Sequence, residues 1–170
     1  MLLRTETPAD RPAIRELTIR AFADSESGVE PGEAALLDDL FGCEEYLQDF
    51  SVVAEVDGNI VGHVIATRGW VDGDVPLLGL GPISVLPDHQ GRGIGGALLD
   101  EIRDRAAAAG ERAIVLLGHI GYYPRFGYVP AIPAGILPSD MSWGDHFMVL
   151  ALDGHKLPAG KFRYAAPFGV

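Results

Sequence analysis

The chain has 170 residues, 13 lysines and arginines against 24 aspartates and glutamates, and a formal net charge of −11. At roughly 100–200 residues per domain, residues 1–170 are expected to form one domain with a core of its own. A composition of 48% hydrophobic and 22% charged residues excludes a disordered chain, and the acidic balance argues against nucleic acid or an anionic membrane as partner.

Cys43 is the only cysteine, so a disulfide framework within the chain and a cysteine-based zinc site are both excluded. Residues 1–10 hold no apolar run of signal-peptide length. The longest apolar stretch, about 77–86, is interrupted by Gly79, Gly81 and Pro82 and falls short of the roughly 20 residues a spanning helix needs. A cytoplasmic protein is the expectation.

Residues 2–5 read as a short strand. Thr7, Pro8 and Asp10 then open a helix: Thr7 as cap, Pro8 at the first helical position, Asp10 at the positive end of the dipole. Ile14, Leu17 and Ala21 mark its buried face. Residues 28–32 read as a loop and 33–46 as a second helix, with Leu36, Leu37, Leu40 and Leu47 on its apolar side. Strands follow over 51–56, 60–70 and about 75–85, joined by Asp57-Gly58 and Asp72-Gly73 hairpins. Gly79, Gly81 and Pro82 inside the third of these predict a bulge or a split from a neighbour.

An amphipathic helix from about Ala97 to Ala109 buries Leu98, Leu99 and Ile102 and ends at Gly110. Residues 113–118 are a buried strand, parallel to the one before the helix. A helical turn at 122–126, a short pairing segment at 128–131, a loop at 132–145 and a last clear strand at 147–152 complete the order. The fold class is α/β (α+β): a mixed central sheet with helices on both faces.

Between the third hairpin strand and its helix lies Gln90-Gly91-Arg92-Gly93-Ile94-Gly95-Gly96. Glycines let backbone approach a ligand, and a helix start offers free N–H groups and positive potential, so this loop reads as a cradle for phosphate or pyrophosphate. Gly91, Gly93 and Gly96 also satisfy the G-x-G-x-x-G fingerprint of nicotinamide-dependent oxidoreductases. That fingerprint needs the first strand-to-helix turn and an acid ending the next strand. Here three hairpin strands precede the loop and the next strand ends in Gly118-His119, which discounts that reading.

Gln90, Gly93 and Gly95 match Gln/Arg-x-x-Gly-x-Gly/Ala, and Tyr122-Tyr123-Pro124-Arg125-Phe126-Gly127-Tyr128 is similar to a Phe-Tyr-x-x-x-Gly-Phe segment. On these motifs the sequence resembles the GCN5-related N-acetyltransferase (GNAT) superfamily, and within it a subgroup of predicted N-acetyltransferases carrying a Tyr-Tyr-x-Arg-Phe-Gly-Phe/Tyr segment. The resemblance extends over nearly the whole chain. It implies the acyl-CoA N-acyltransferase fold, with a splayed strand pair that admits the pantetheine arm. It further implies acetyl transfer from acetyl-CoA to a primary amine by direct attack in a ternary complex. Gln90, Gly91, Arg92, Gly93, Ile94, Gly95 and Gly96 would then wrap the pyrophosphate, and Ile83, Ser84 and Val85 would hold the pantetheine arm. Leu116 occupies the slot where many members carry an asparagine, and His119 stands where a small or acidic residue is usual.

The resemblance puts Tyr123 in the general-acid position, since a phenol with pKa near 10 stays protonated at neutral pH. Tyr122 is expected to pack in the core. The base is Glu33 first, on the helix that borders the acceptor cleft, with Glu30, Asp74, His63 or a water chain as alternatives. His119, His146 and His155 lack helical metal spacing, so no metal is expected. Glu30, Glu33, Asp38, Asp39, Glu44 and Glu45 cluster in and beside the second helix, which predicts steering of a cationic acceptor. Two functions stay open: a transferase, or a non-catalytic module of the same fold that binds acyl-CoA. The sequence also leaves open a homodimer.

Overall fold

The computed structural model describes residues 1–24, 26–152 and 154–170. In chain order the elements are β1 (Leu2–Thr5), α1 (Arg11–Phe22), α2 (Gly32–Gly42), β2 (Ser51–Val56), β3 (Asn59–Val71), β4 (Val75–Val85), α3 (Ile94–Ala108), β5 (Ala113–Leu117), β6 (Val129–Pro130), β7 (Ile136–Leu137), β8 (Phe147–Ala151) and β9 (Gly160–Arg163). The main sheet runs β1-β2-β3-β4-β5-β8-β6, and along that path only β4 and β5 are parallel, joined through α3 as the crossover rule requires. Asp57-Gly58 and Asp72-Gly73 both take positive φ, with Asp57 at 50° and Gly58 at 77°, which matches the twist of the flanking strands.

Alternation along the strands decides which helix covers which face. Val52, Ala54, Val64 and Ala66 pack with Leu98, Leu99 and Ile102 of α3. Val53 and Ile65 face the other way, onto Ile14 of α1 and Leu37 and Leu40 of α2. Helices therefore cover both faces, as expected. A third cluster, built on Leu77, Val115, Phe147, Phe162 and Tyr164, closes the end of the sheet nearest β8 and β9. Among the described residues no helix is long and apolar enough to cross a membrane.

Two elements differ from expectation. The second helix ends at Gly42, not at residue 46: Cys43 is already extended, with φ −88° and ψ 162°. Ending there lets Tyr46 donate its hydroxyl to the fully buried Glu6 carboxylate, a bond that continuing the helix would forgo. The second difference is β9, a strand that short-range pattern does not announce. It pairs with the end of β3 through Trp70–Arg163 and Val71–Phe162, and with β7 inside the stretch read as a loop.

His63 of β3 is fully buried, with Nε2 2.9 Å from the Ser51 hydroxyl. Burial pulls its pKa down to about 3, so the folded protein holds it neutral. A pKa lowered on folding gives stability that is complete above the unfolded value near 6.5 and is lost as pH falls towards about 3. We expect this one site to remove about 1.4 kcal/mol of unfolding free energy per pH unit across that window. Urea unfolding at pH 7 and pH 5 checks it: His63→Gln should flatten the decline, and an equal decline in the variant would reassign it to other groups.

Candidate active site

Gly81 and Pro82 set the geometry of the site. Across the β3–β4 ladder Val64 faces Ile83 and Ala66 faces Leu80, so two residues of β4 oppose one of β3 and form a bulge. On its other side β4 meets β5 only at Leu78–Ile114 and Gly79–Val115. Past the bulge the two parallel strands part, which is the splayed pair the sequence predicts. The β4 edge at 80–85 that faces β5 makes no strand pairing, so its backbone groups are free for an extended ligand.

A cleft of about 990 Å³ lies along that edge and the start of α3. Nine of the ten residues expected to hold coenzyme, all but the exposed Arg92, line it. Gln90 lines it too, but its side-chain amide donates to the Val85 carbonyl at 3.0 Å, which ties the loop to the end of β4. Gly93 caps α3 in the left-handed region at φ 81°. Ala97 N–H bonds to Gly93 O at 3.0 Å, so the three preceding N–H groups have no partner within the helix and are available to an anion. The volume stands at the upper end of the roughly 300–1,000 Å³ of small-molecule sites. Free N–H groups beside an unpaired strand edge suit a long ligand with a pyrophosphate and an amide-bearing arm.

Gly95 and Gly96 have a second use that the sequence does not announce. A Cβ on Gly95 would lie 2.7 Å from the Tyr122 hydroxyl, and one on Gly96 2.9 Å from the Phe126 ring. The missing side chains therefore let the aromatic segment pack across the first turn of α3. Tyr122 packs against the main core cluster, as expected, and its half-buried ring also forms part of the cleft wall, with the Arg125 guanidinium 5.2 Å from its ring centre. His119, Arg125 and Phe126 line the same wall, and sequence reading assigned none of them to it.

A second cavity of about 400 Å³ opens on the far side of the strand gap, and Ile83 and His119 line both. The structure brings Tyr123 and Glu33 together on its wall. The Tyr123 ring packs edge-on against Tyr122 at 5.1 Å and Tyr128 at 6.0 Å between ring centres. Burial, with a smaller contribution from Tyr122, pushes its phenol up to about 12, so it keeps its proton at neutral pH. A Cβ on Gly118 would overlap that ring, so the glycine at the end of β5 makes room for Tyr123.

The alternative bases are elsewhere. Glu30 pairs with Arg15, Asp74 is exposed in the β3–β4 turn, and His63 is sealed between strands. Half of the acidic cluster near α2 is engaged: Arg15 takes Asp38 as well as Glu30, and Glu45 accepts the Ala166 N–H at 3.2 Å, while Asp39 and Glu44 are exposed. Only Glu33 of the six reaches the cavity.

Comparison with known proteins agrees with this geometry. The model of the Acetyltransferase (GNAT) family matches residues 12–128. The uncharacterized N-acetyltransferase YjhQ of Escherichia coli K12 is 36% identical over 125 residues, 72% of this chain and 66% of that protein. A GNAT family acetyltransferase from Brucella melitensis, solved in complex with acetyl-CoA, has 35% identity and a TM-score of 0.79, covering 98% of this chain and 97% of that one. YhbS from Escherichia coli, solved in complex with CoA, has 28% identity and a TM-score of 0.84, covering 99% and 92%. With a family model spanning more than half its length, the chain belongs to the GNAT acetyltransferase family.

Proposed function

We propose that this protein is an N-acetyltransferase that moves an acetyl group from acetyl-CoA to a primary amine within one ternary complex. The observation that carries it is the meeting of the two cavities where β4 leaves β5, with Tyr123 and Glu33 on the wall. When bound, acetyl-CoA supplies a thioester whose carbonyl carbon accepts an amine and whose sulfur leaves as thiolate. The loop from Gln90 to Gly96 holds the pyrophosphate by backbone N–H groups, and Ile83, Ser84 and Val85 hold the amide arm at the free strand edge. A backbone N–H of β4 near Ser84 or Val85 polarises the carbonyl. Tyr123 holds its proton at the phenol oxygen and releases it to the leaving sulfur. Glu33 takes the proton that the amine nitrogen gives up. Alignment across the strand gap lowers the barrier further, by an amount that can reach roughly 7–11 kcal/mol in well-oriented systems.

The test is thiol release from acetyl-CoA across a panel of primary amines, alongside calorimetry of acetyl-CoA binding. We expect amine-dependent release with intersecting initial-rate patterns. Glu33→Gln should lower kcat about 10²-fold, the low end for a positioned base, and leave acetyl-CoA affinity unchanged. Tight binding without release for any amine would instead make the protein a coenzyme-binding module.

A further inference from the structure

We propose that the acceptor is a small primary amine on a compact apolar or aromatic body, seated in the cavity of about 400 Å³ beside the strand gap. The inference rests on the transferase reading above and names the substrate class of that site. Its wall is drawn from separate parts of the chain: Phe22 ends α1, Leu36 sits on α2, Leu117 ends β5, and Trp143, Tyr164 and Phe168 come from the last third. These are large apolar and aromatic side chains, and the Tyr164 and Phe168 rings meet at a tilt with centres 4.8 Å apart. Phe22 and Leu117 keep 39% and 46% of their surface open, an exposure that an apolar ligand would cover with release of water.

Charge narrows the class further. Glu33 is the only acidic side chain among the described residues on that wall, and neither lysine nor arginine lines it. One acidic side chain serves one ammonium. The second and third ammonium groups of a polyamine or an aminoglycoside would lie against carbon with no partner, which is costly. An amino acid would bring a carboxylate with no cation to meet it. The other carboxylates near α2 do not line the cavity: Glu30 and Asp38 are held by Arg15, Glu45 by the Ala166 backbone, and Asp39 and Glu44 are exposed outside it. Aromatic rings around a single charge add attraction for an ammonium that a hydrated groove would lack.

The experiment has two arms on the full chain. In the first, calorimetry measures 2-phenylethylamine, cyclohexylmethylamine, spermidine and L-lysine against protein saturated with CoA. In the second, initial rates are taken with acetyl-CoA and the same amines. The expected result is binding and kcat/KM at least ~10-fold better for the first two amines than for the last two. Phe22→Gln and Leu117→Gln, at positions exposed enough not to threaten folding, should each raise the 2-phenylethylamine KM fivefold or more and leave acetyl-CoA affinity unchanged. Binding of 2-phenylethylamine without turnover upholds the acceptor class and overturns the transferase reading. Turnover that favours spermidine or lysine does the reverse, as does an unmoved KM in both variants. Absence of binding by either apolar amine also overturns the inference.

Discussion

Gly93→Val lowers acetyl-CoA affinity by about 10²-fold or more while the fold survives. Gly93 holds φ 81° at the cap of α3, and nothing stands within 4 Å of a Cβ placed there. The substitution is therefore strained by backbone conformation and not by collision. An L-residue in the left-handed region costs roughly 1–2 kcal/mol, and a β-branched side chain sits there worst. The loop relieves that strain by turning its N–H groups off the anion, and hydrogen bonds to a charged partner are worth about 1.5–3 kcal/mol. At 1.4 kcal/mol per decade the loss of one or two such bonds reaches the stated loss. Gly95→Val arrives at the same result by another route, since its Cβ falls 2.7 Å from the Tyr122 hydroxyl and drives that ring off the cleft wall. Calorimetry decides, with thermal unfolding as the control for folding. Unchanged affinity in both variants would remove the pyrophosphate from this loop.

Those two glycines also show what a sequence discloses and what it withholds. Four glycines between Gln90 and Gly96 announce a ligand cradle, because few other uses need so many at a strand-to-helix junction. That Gly95 and Gly96 also accommodate Tyr122 and Phe126 depends on a segment 27 to 30 residues downstream, and no local pattern carries it. The same division runs through the fold. The Asp57-Gly58 and Asp72-Gly73 hairpins are legible because their residue types demand positive φ. The splayed pair is legible because Gly81 and Pro82 interrupt a strand. β9 is not, since four residues beginning with glycine become a strand by pairing with Trp70 and Val71 on one side and with β7 on the other. The end of α2 is equally a tertiary matter, settled by the bond from Tyr46 to Glu6 across 40 residues.

The candidate site divides along the same line. Resemblance supplied Tyr123 and Glu33 together, and the structure places them on one wall. It did not supply His119, which lines both cavities, because a lone histidine after a strand carries no motif. Nor did it supply Gly118, although a glycine three residues past the buried Val115 and five before the second tyrosine was a signal of close approach. Most of the apolar wall of the acceptor cavity was beyond reach. Phe22, Leu36, Leu117 and Phe168 are far apart in sequence, and each reads there as an ordinary core residue.

Tyr123→Phe should lower kcat about 10²-fold and leave acetyl-CoA affinity and acceptor KM nearly unchanged, the split expected for a group that acts on the leaving sulfur and not on binding. Phenylalanine fills almost the same volume against Tyr122 and Tyr128, so packing contributes little to the loss. Burial raises the phenol to about 12, and the acid form therefore persists well beyond neutral pH. The acceptor amine, with a pKa near 10, gains its reactive neutral form over the same rise. The wild-type rate should climb with pH through about 9 with no falling limb from Tyr123. Gly118→Ala extends the test to position: its Cβ overlaps the ring, so it should lower kcat with the phenol still present, again without weakening acetyl-CoA binding. An unchanged kcat in Tyr123→Phe, measured with a working acceptor, would leave the tyrosine a packing residue and require another proton donor at the strand gap. A loss in Gly118→Ala alone would then mark the end of β5 as the part that aligns the reactants.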